Sequence, residues 1–383
     1  MTLFVRIILF LLTSIGYGSS LEAQISDPIP EAIEPGEIVM PLEDWLQAPA
    51  TGPEPTLARL SVMKPAYDGS GRIFLADLRG QMYAIDGDDM TDYANLTDVF
   101  PDFVDAPERG SGFHAFAFHP DFSSNGKFYT VHTEPGSSGV ADFGPLLELE
   151  STLQSVVTEW TANDSSLQVF SGTQREVLRI EYPIAFHNIQ EVAFNHHVGR
   201  GHEDYGMLYV CVGDGAAVNL NPVLGHRLDS VYSTLLRIDP LGSDSENGQY
   251  GVPDSNPFVN DNSGDTLGEI YAWGFRNPHR ICWDPANPDR MFLADIGQSQ
   301  IEEINLVIKG GDYGWSEREG TFLLDAESDD TVVYPLPPND TDFDYLYPVA
   351  QYDHDDGMAI TGGFVYRGLQ QLIGLLKLVH LDG

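Results

Sequence analysis

One pattern recurs along this chain and limits what it can become. An apolar stretch runs into a polar turn rich in Asp, Asn and Gly, and a short strand of β-branched and aromatic residues follows. It appears as VMKPAYDGSGRIFLAD (62–77), AFHPDFSSNGKFYTVHT (117–133), AFNHHVGRGHEDYGMLYVCVGD (193–214) and CWDPANPDRMFLAD (282–295). Each copy reads as two strands joined by a turn. Copies start roughly 55–90 residues apart, with long insertions between them. Repeated hairpins with little helical periodicity point to an all-β chain of propeller type. A β-sandwich or two stacked β-domains is the competing arrangement. The 38 Gly and 25 Pro agree with a turn-rich fold. The best amphipathic-helix pattern is LLELESTLQSVVTEW (146–160), although the same residues also suit strands of a blade.

Charge narrows the partners. Nineteen Lys and Arg stand against 58 Asp and Glu, a net charge of −39. Such a chain repels phosphate backbones and anionic lipid heads, which argues against nucleic acid and membrane surfaces as partners. Only 4 of the bases are Lys, and 36 of the acids are Asp. An Asp-rich, Lys-poor surface stays hydrated where salt screens repulsion, as in a saline setting, but an ordinary acidic exported protein reads the same way. Residues 80–108 carry eight acids and no Lys or Arg, and residues 319–366 carry eleven. Both read as solvated loops on a rim or on the outside.

The first 23 residues read as a secretory signal peptide. Arg6 supplies the positive start, Ile7 to Leu12 the apolar core, and Leu21-Glu22-Ala23 a cleavage site before Gln24. The apolar run is too short for a membrane span, and a retained N-terminal anchor is the alternative. The expectation is an exported protein, periplasmic or secreted, with no membrane span in the mature chain. Residues 24–56, rich in Pro, Glu and Ala, read as an irregular lead-in. Cys211 and Cys282 lie in strand-like runs and are expected as two buried thiols, with no disulfide scaffold and no zinc cluster.

Six segments resemble one family. They are RGSGFHAFAFHPDF (109–122), FHNIQEVAF (186–194), LYVCVGDG (208–215), EIYAWGFRNPHRICWDP (269–285), MFLADIGQSQIEEINLVIKGGDYGW (291–315) and ITGGFVYRG (360–368). In this order they resemble the soluble pyrroloquinoline-quinone (PQQ) dependent sugar dehydrogenases, the glucose/sorbosone and aldose sugar dehydrogenases. HPDF or VGDG alone is weak, whereas the GFRNP, DIGQ, EEINL and KGGDYGW series is specific. The resemblance implies a six-bladed β-propeller over residues 57–383. It also implies oxidation of the anomeric hydroxyl of an aldose to a lactone, hydride passing to PQQ and onward to an external acceptor, a quinone or a cytochrome.

The chemistry needs a base for the hydroxyl proton. His187 is the candidate, beside apolar Ile184, Ala185 and Phe186. Asp214 follows the strand LYVCVG, where a carboxylate can bond the far ring nitrogen and stabilise the imidazolium. The resemblance assigns these two residues the same roles. It also carries Arg276 and Asn277 over as contacts to quinone and substrate, since a guanidinium stabilises negative charge on a reduced quinone. It implies Ca²⁺ as a second cofactor. One ion would be held by main-chain oxygens at Gly297 and Gln298 beside PQQ, and a structural one by Glu303 and Tyr313. Hard Ca²⁺ takes such oxygen donors.

The chain departs from the family in three places. Ile189-Gln190-Glu191 stand where small residues and an Arg are usual, which would narrow the sugar site. Past Gly368 the sequence reads LQQLIGLLKLVHLDG and leaves the family pattern, so the last blade is expected to be incomplete, with an open edge. His196, His197, His202, Glu203 and Asp204 gather in one turn, either as a transition-metal site or as a solvated insertion. Asp353-His354-Asp355-Asp356 reads as an acidic loop or part of a site entrance. Two other functions stay open: a binding propeller that has lost PQQ, and a calcium-dependent lactonase or other hydrolase.

Overall fold

A computed structural model describes residues 24–34, 42–106, 110–144, 149–216, 226–261, 266–325, 329–367 and 376–380. The signal-peptide reading of residues 1–23 lies outside these. Strand β1 (Leu42–Gln47) falls inside the segment read as an irregular lead-in. Four four-stranded antiparallel sheets follow. The first holds β2 (Leu60–Pro65), β3 (Ile73–Asp77), β4 (Gln81–Asp86) and β5 (Asp89–Asn95). The second holds β6 (Ala115–Phe118), β7 (Lys127–Pro135), β8 (Leu153–Ala162) and β9 (Gly172–Tyr182). The third holds β10 (Ile189–Ala193), β11 (Leu208–Val212), β12 (Thr234–Ile238) and β13 (Ile270–Trp273). The fourth begins with β14 (Pro278–Asp284), β15 (Asn287–Asp295) and β16 (Ile301–Val307). A three-stranded sheet of β17 (Arg318–Glu319), β18 (Phe322–Leu324) and β19 (Val333–Tyr334) intervenes before β20 (Ala350–Asp353) completes it.

Each recurring sequence pattern is the opening hairpin of one sheet. Neighbouring sheets stack face to face through apolar slabs. Phe74, Phe116, Phe118, Phe128 and Trp160 join the first sheet to the second. Tyr129, Val157, Val192, Val210 and Leu236 join the second to the third. Tyr209, Leu235, Phe275, Trp283 and Leu293 join the third to the fourth. The opening strands β2, β6, β10 and β14 lie side by side. This arrangement is that of propeller blades around an axis.

Two of the few bases tie those strands together. Lys64 on β2 donates to Phe116 O on β6 and to Val192 O on β10, both at 3.1 Å, and pairs with Glu191 at 2.5 Å. Arg280 on β14 donates to Gln190 O at 2.7 Å and Ser61 O at 3.2 Å, and lies 3.6 Å from Glu191. Glu191 therefore faces the axis between two cations.

Of the helical pattern over 146–160, residues 153–160 lie in strand β8 and residues 146–148 fall outside the described residues. Leu153, Val156, Val157 and Trp160 have helical spacing, but β8 lies between β7 and β9 with both faces covered. Its two longest polar side chains are buried and paired, whereas the Ser155 and Thr158 hydroxyls are buried without a partner among the described residues. Glu159 accepts from Lys127 at 2.6 Å and Tyr129 Oη at 2.7 Å, and Gln154 accepts from Arg179 at 2.6 Å. The acidic stretch 80–108, read as a loop, contains strands β4 and β5 within residues 81–95.

The N-terminal and C-terminal segments form one further, two-stranded sheet. β21 (Leu376–His380) pairs in parallel with β1. Trp45, Leu46 and Ala48 pack on Leu75, Tyr83 and Ile85, the face of the first sheet turned away from the second. Phe364 and Tyr366 remain 77% and 60% exposed. Among the described residues no helix is long and apolar enough to cross a membrane.

Candidate active site at the rim of the opening hairpins

His187 stands two residues before β10, and Asp214 two residues after β11. Antiparallel pairing of Ile189 with Val212 brings them together across the open end of the hairpin. His187 Nδ1 lies 2.7 Å from Asp214 Oδ1. His187 has φ +49°, in the left-handed region, a strained conformation that the surroundings must enforce. Gly213 makes the close approach possible, because a Cβ there would lie 2.3 Å from His187 O. The Gly215 N–H donates to the same carbonyl at 3.1 Å.

Asp214 is 1% exposed. Burial pushes its carboxyl up, but the His187 ring, its hydrogen bond and the Arg276 charge together hold it below the ordinary value. Its Oδ1 accepts the Ala216 N–H at 2.8 Å, and its Oδ2 accepts the Trp315 indole N–H at 3.2 Å. The apolar flank contributes less than the sequence suggested, since Phe186 is 45% exposed.

The fourth sheet repeats this layout. Arg276 and Asn277 precede β14, and Asp295 ends β15, with Pro278 paired to Asp295. The Asp295 carboxylate accepts the N–H of Arg276 at 2.9 Å and of Asn277 at 2.7 Å. Arg276 Nε donates to Gln298 Oε1 at 2.7 Å and Nη1 to Ile296 O at 3.0 Å. The guanidinium carbon lies 5.7 Å from the Trp315 ring centroid, at cation–π distance. The two sheets are joined by Asp214 N–H, which donates to Arg276 O at 2.8 Å. His187, Asp214, Arg276, Asn277 and Gln298 thus form one constellation.

Gly297 sits in the turn after β15, where a Cβ would lie 1.7 Å from Ile301 O. Glu303 on β16 faces Asp295 across the ladder. Burial, then the charges of Glu319 and Glu302, raises its carboxyl to about 7, and burial followed by the Glu303 charge raises Asp295 well above the ordinary range. Glu303 accepts from Gly320 N at 2.5 Å and Asn305 Nδ2 at 3.0 Å. Tyr313 packs against Phe275 and donates its hydroxyl to Leu306 O at 2.7 Å. No described contact joins Glu303 to Tyr313.

Sequence reasoning missed three residues. Trp315 links Asp214 to Arg276, Asp295 shapes the Arg276-Asn277 turn, and Glu319 binds the Gly297 turn. Trp315 and Asp295 stand inside the quoted motifs, but their roles depend on contacts over about 20 to 100 residues. Other expectations move away from the site. Glu191 lies on the axis rather than toward His187. Asp353 and Asp356 accept the N–H groups of Ile29 and Ile33, so this acidic loop fastens the N-terminal segment. His196 stacks on Tyr67 with 4.0 Å between ring centroids, at a cavity of about 230 Å³ by the far ends of β2, β6, β10 and β14. Asp204 pairs with Arg237 at 3.1 Å, and His202 with Asp289 at 3.0 Å. Both cysteines are free thiols, Cys211 fully buried and Cys282 half-buried.

The chain matches the family described as Glucose / Sorbosone dehydrogenase over residues 61–371. It is 28% identical over 352 residues to the HIPL1 protein of Arabidopsis thaliana, covering 80% of this chain and 48% of that protein. It is 24% identical over 227 residues to the quinoprotein glucose dehydrogenase B of Acinetobacter calcoaceticus, covering 57% of this chain and 43% of that protein. The PQQ-bound aldose sugar dehydrogenase of Streptomyces coelicolor shares its fold, with a TM-score of 0.53 and 20% identity over 82% of this chain and 74% of that one. The chain spans about half the length of the curated relatives it matches.

Proposed function

Because this chain belongs to the glucose/sorbosone dehydrogenase family, we propose that it is an exported PQQ- and calcium-dependent oxidoreductase that oxidises the anomeric hydroxyl of an aldose to a lactone. The observation that carries this reading is the 2.7 Å contact between His187 Nδ1 and the buried Asp214 carboxylate. With Nδ1–H held by a carboxylate, the neutral ring keeps its lone pair on Nε2. Nε2 is then the atom that takes the sugar hydroxyl proton, and Asp214 stabilises the imidazolium that forms. Arg276 has Nε and Nη1 committed to Gln298 and Ile296. Its Nη2 is the donor left for an anionic ligand, and its charge steadies negative charge that develops beside it.

The residues present suit both cofactors. Asn277 is nine-tenths buried and its Oδ1 has no partner, as has the Oε2 of buried Glu319. The turn at Gly297 offers oxygen atoms, the donors a hard cation takes. Among the described residues no three His, Cys, Asp or Glu side chains gather closely enough to cage an ion. A calcium ion here would therefore draw on main-chain oxygens of Gly297 and Gln298. Glu303 and the main chain of Tyr313 are the proposed holders of a second, structural calcium. When bound, PQQ supplies the hydride acceptor and calcium polarises it. The same reading makes the sheets part of a six-bladed propeller spanning residues 57–383, behind a 23-residue signal peptide. Its electrons pass to an external quinone or cytochrome.

Purified protein loaded with PQQ and Ca²⁺ should reduce a dye when aldoses are added. Reduction should vanish in His187→Ala and with chelator. In Asp214→Asn the turnover number should fall on the order of 10²–10⁴-fold, because the tautomer is no longer fixed. Failure to bind PQQ would sink this reading, and PQQ binding without turnover would favour a binding propeller.

A further inference from the structure

Glu319 occupies an unusual position for a carboxylate. It lies on the two-residue strand β17, is 1% exposed, and forms no ion pair among the described residues. Its Oε1 accepts four consecutive backbone N–H groups: Gln298 at 2.8 Å, Ser299 and Gln300 at 2.9 Å, and Ile301 at 3.0 Å. Four donors converging on one oxygen curl the backbone around that point, as in an anion-binding nest. A trans peptide unit is planar, with its C=O opposed to its N–H. When the N–H groups of 298–301 point at Glu319, the carbonyls of 297–300 are directed away from it. Two of these belong to Gly297 and Gln298. The side chain of Gln298 in turn receives Arg276 Nε and donates to Asp330 Oδ2 at 2.9 Å.

We propose that Glu319 is a positioning residue that aims the Gly297 and Gln298 carbonyls at a divalent cation and, through Gln298, orients Arg276. This rests on the reading above, in which a cation binds at that turn. Glu319 Oε1, filled by these four donors, is no ligand in this arrangement, and the role proposed for the residue is carried by that oxygen. The length of the side chain sets where the turn curls, and an acceptor oxygen at that point is the essential requirement.

The test is calcium affinity of the whole chain without PQQ or sugar, measured by calorimetry and by the calcium-induced rise in melting temperature. Glu319→Gln keeps the reach and an acceptor oxygen, and is expected to bind Ca²⁺ within about threefold of wild type. Glu319→Asp keeps the charge but withdraws the oxygen by one methylene. It is expected to lose about 10–100-fold, the usual effect of disturbing a group that orients a metal ligand. Unchanged affinity in Glu319→Asp, or equal loss in both variants, would overturn the proposal while leaving the calcium reading intact. No calcium binding by the wild-type chain would overturn both. Circular dichroism of the calcium-free variants separates loss of binding from loss of folding. Should Glu319→Asp not fold, wild-type affinity in Glu319→Ala would equally overturn the proposal.

Discussion

His114 is kept neutral by its surroundings. It is 7% exposed, its Nε2 lies 3.1 Å from Gly110 O, and burial followed by the Arg280 charge lowers its pKa to about 4. The Asn188 amide donates to the same Gly110 carbonyl, so His114 helps hold the segment that borders His187. The folded pKa lies below the unfolded 6.5. Its contribution is therefore complete above pH 6.5 and is lost as pH falls through 4. At 1.36 kcal/mol per unit this amounts to about 3 kcal/mol. Urea unfolding at pH 7.5 and pH 4.5 should show a smaller difference in His114→Asn than in wild type, and equal differences would refute the assignment. At this scale the sequence was partly legible. His187, Asp214, Arg276 and Asn277 stand in motifs that mark them as candidates, and the structure brings them together. Glu191 does not, because nothing beside it in the chain announces Lys64, which lies 127 residues away.

The opening hairpins could be read directly, since polar turns between β-branched runs have few other uses. β8 could not. A strand covered on both faces shows no polar alternation, so four chance positions passed for a helical face. The strongest test at this scale is the contact between β2, β6 and β10. Burial lowers the Lys64 pKa, and the Glu191 carboxylate is the main group that opposes it. Lys64→Met removes the donor to two carbonyls and leaves Glu191 with the Val192 N–H at 2.8 Å and, as its cation among the described residues, Arg280 at 3.6 Å. The expected loss is about 3–5 kcal/mol in denaturant unfolding. Lys64→Met combined with Glu191→Leu should recover part of it. A single-variant loss under about 1 kcal/mol would mean that the strands are held by their apolar slabs alone.

A net charge of −39 acts on the molecule as a whole. Self-repulsion destabilises the compact state, and salt screens it, the Debye length falling from about 30 Å at 0.01 M to about 3 Å at 1 M. The melting temperature should rise steadily with NaCl across that range. A flat or falling curve would show that ion pairs such as Arg179–Glu134 at 2.7 Å outweigh the repulsion. By itself, the sequence determined the all-β class and the opening hairpins, and it singled out the candidate residues that the structure brings together, because turn residues, strand propensity and motif spacing are local properties. Only the tertiary structure decided that Glu191 faces the axis, that Trp315 bridges Asp214 and Arg276, and that Glu319 gathers the 298–301 turn. Each of those depends on a partner brought near by sheet pairing or blade stacking, and distance along the chain carries no record of it.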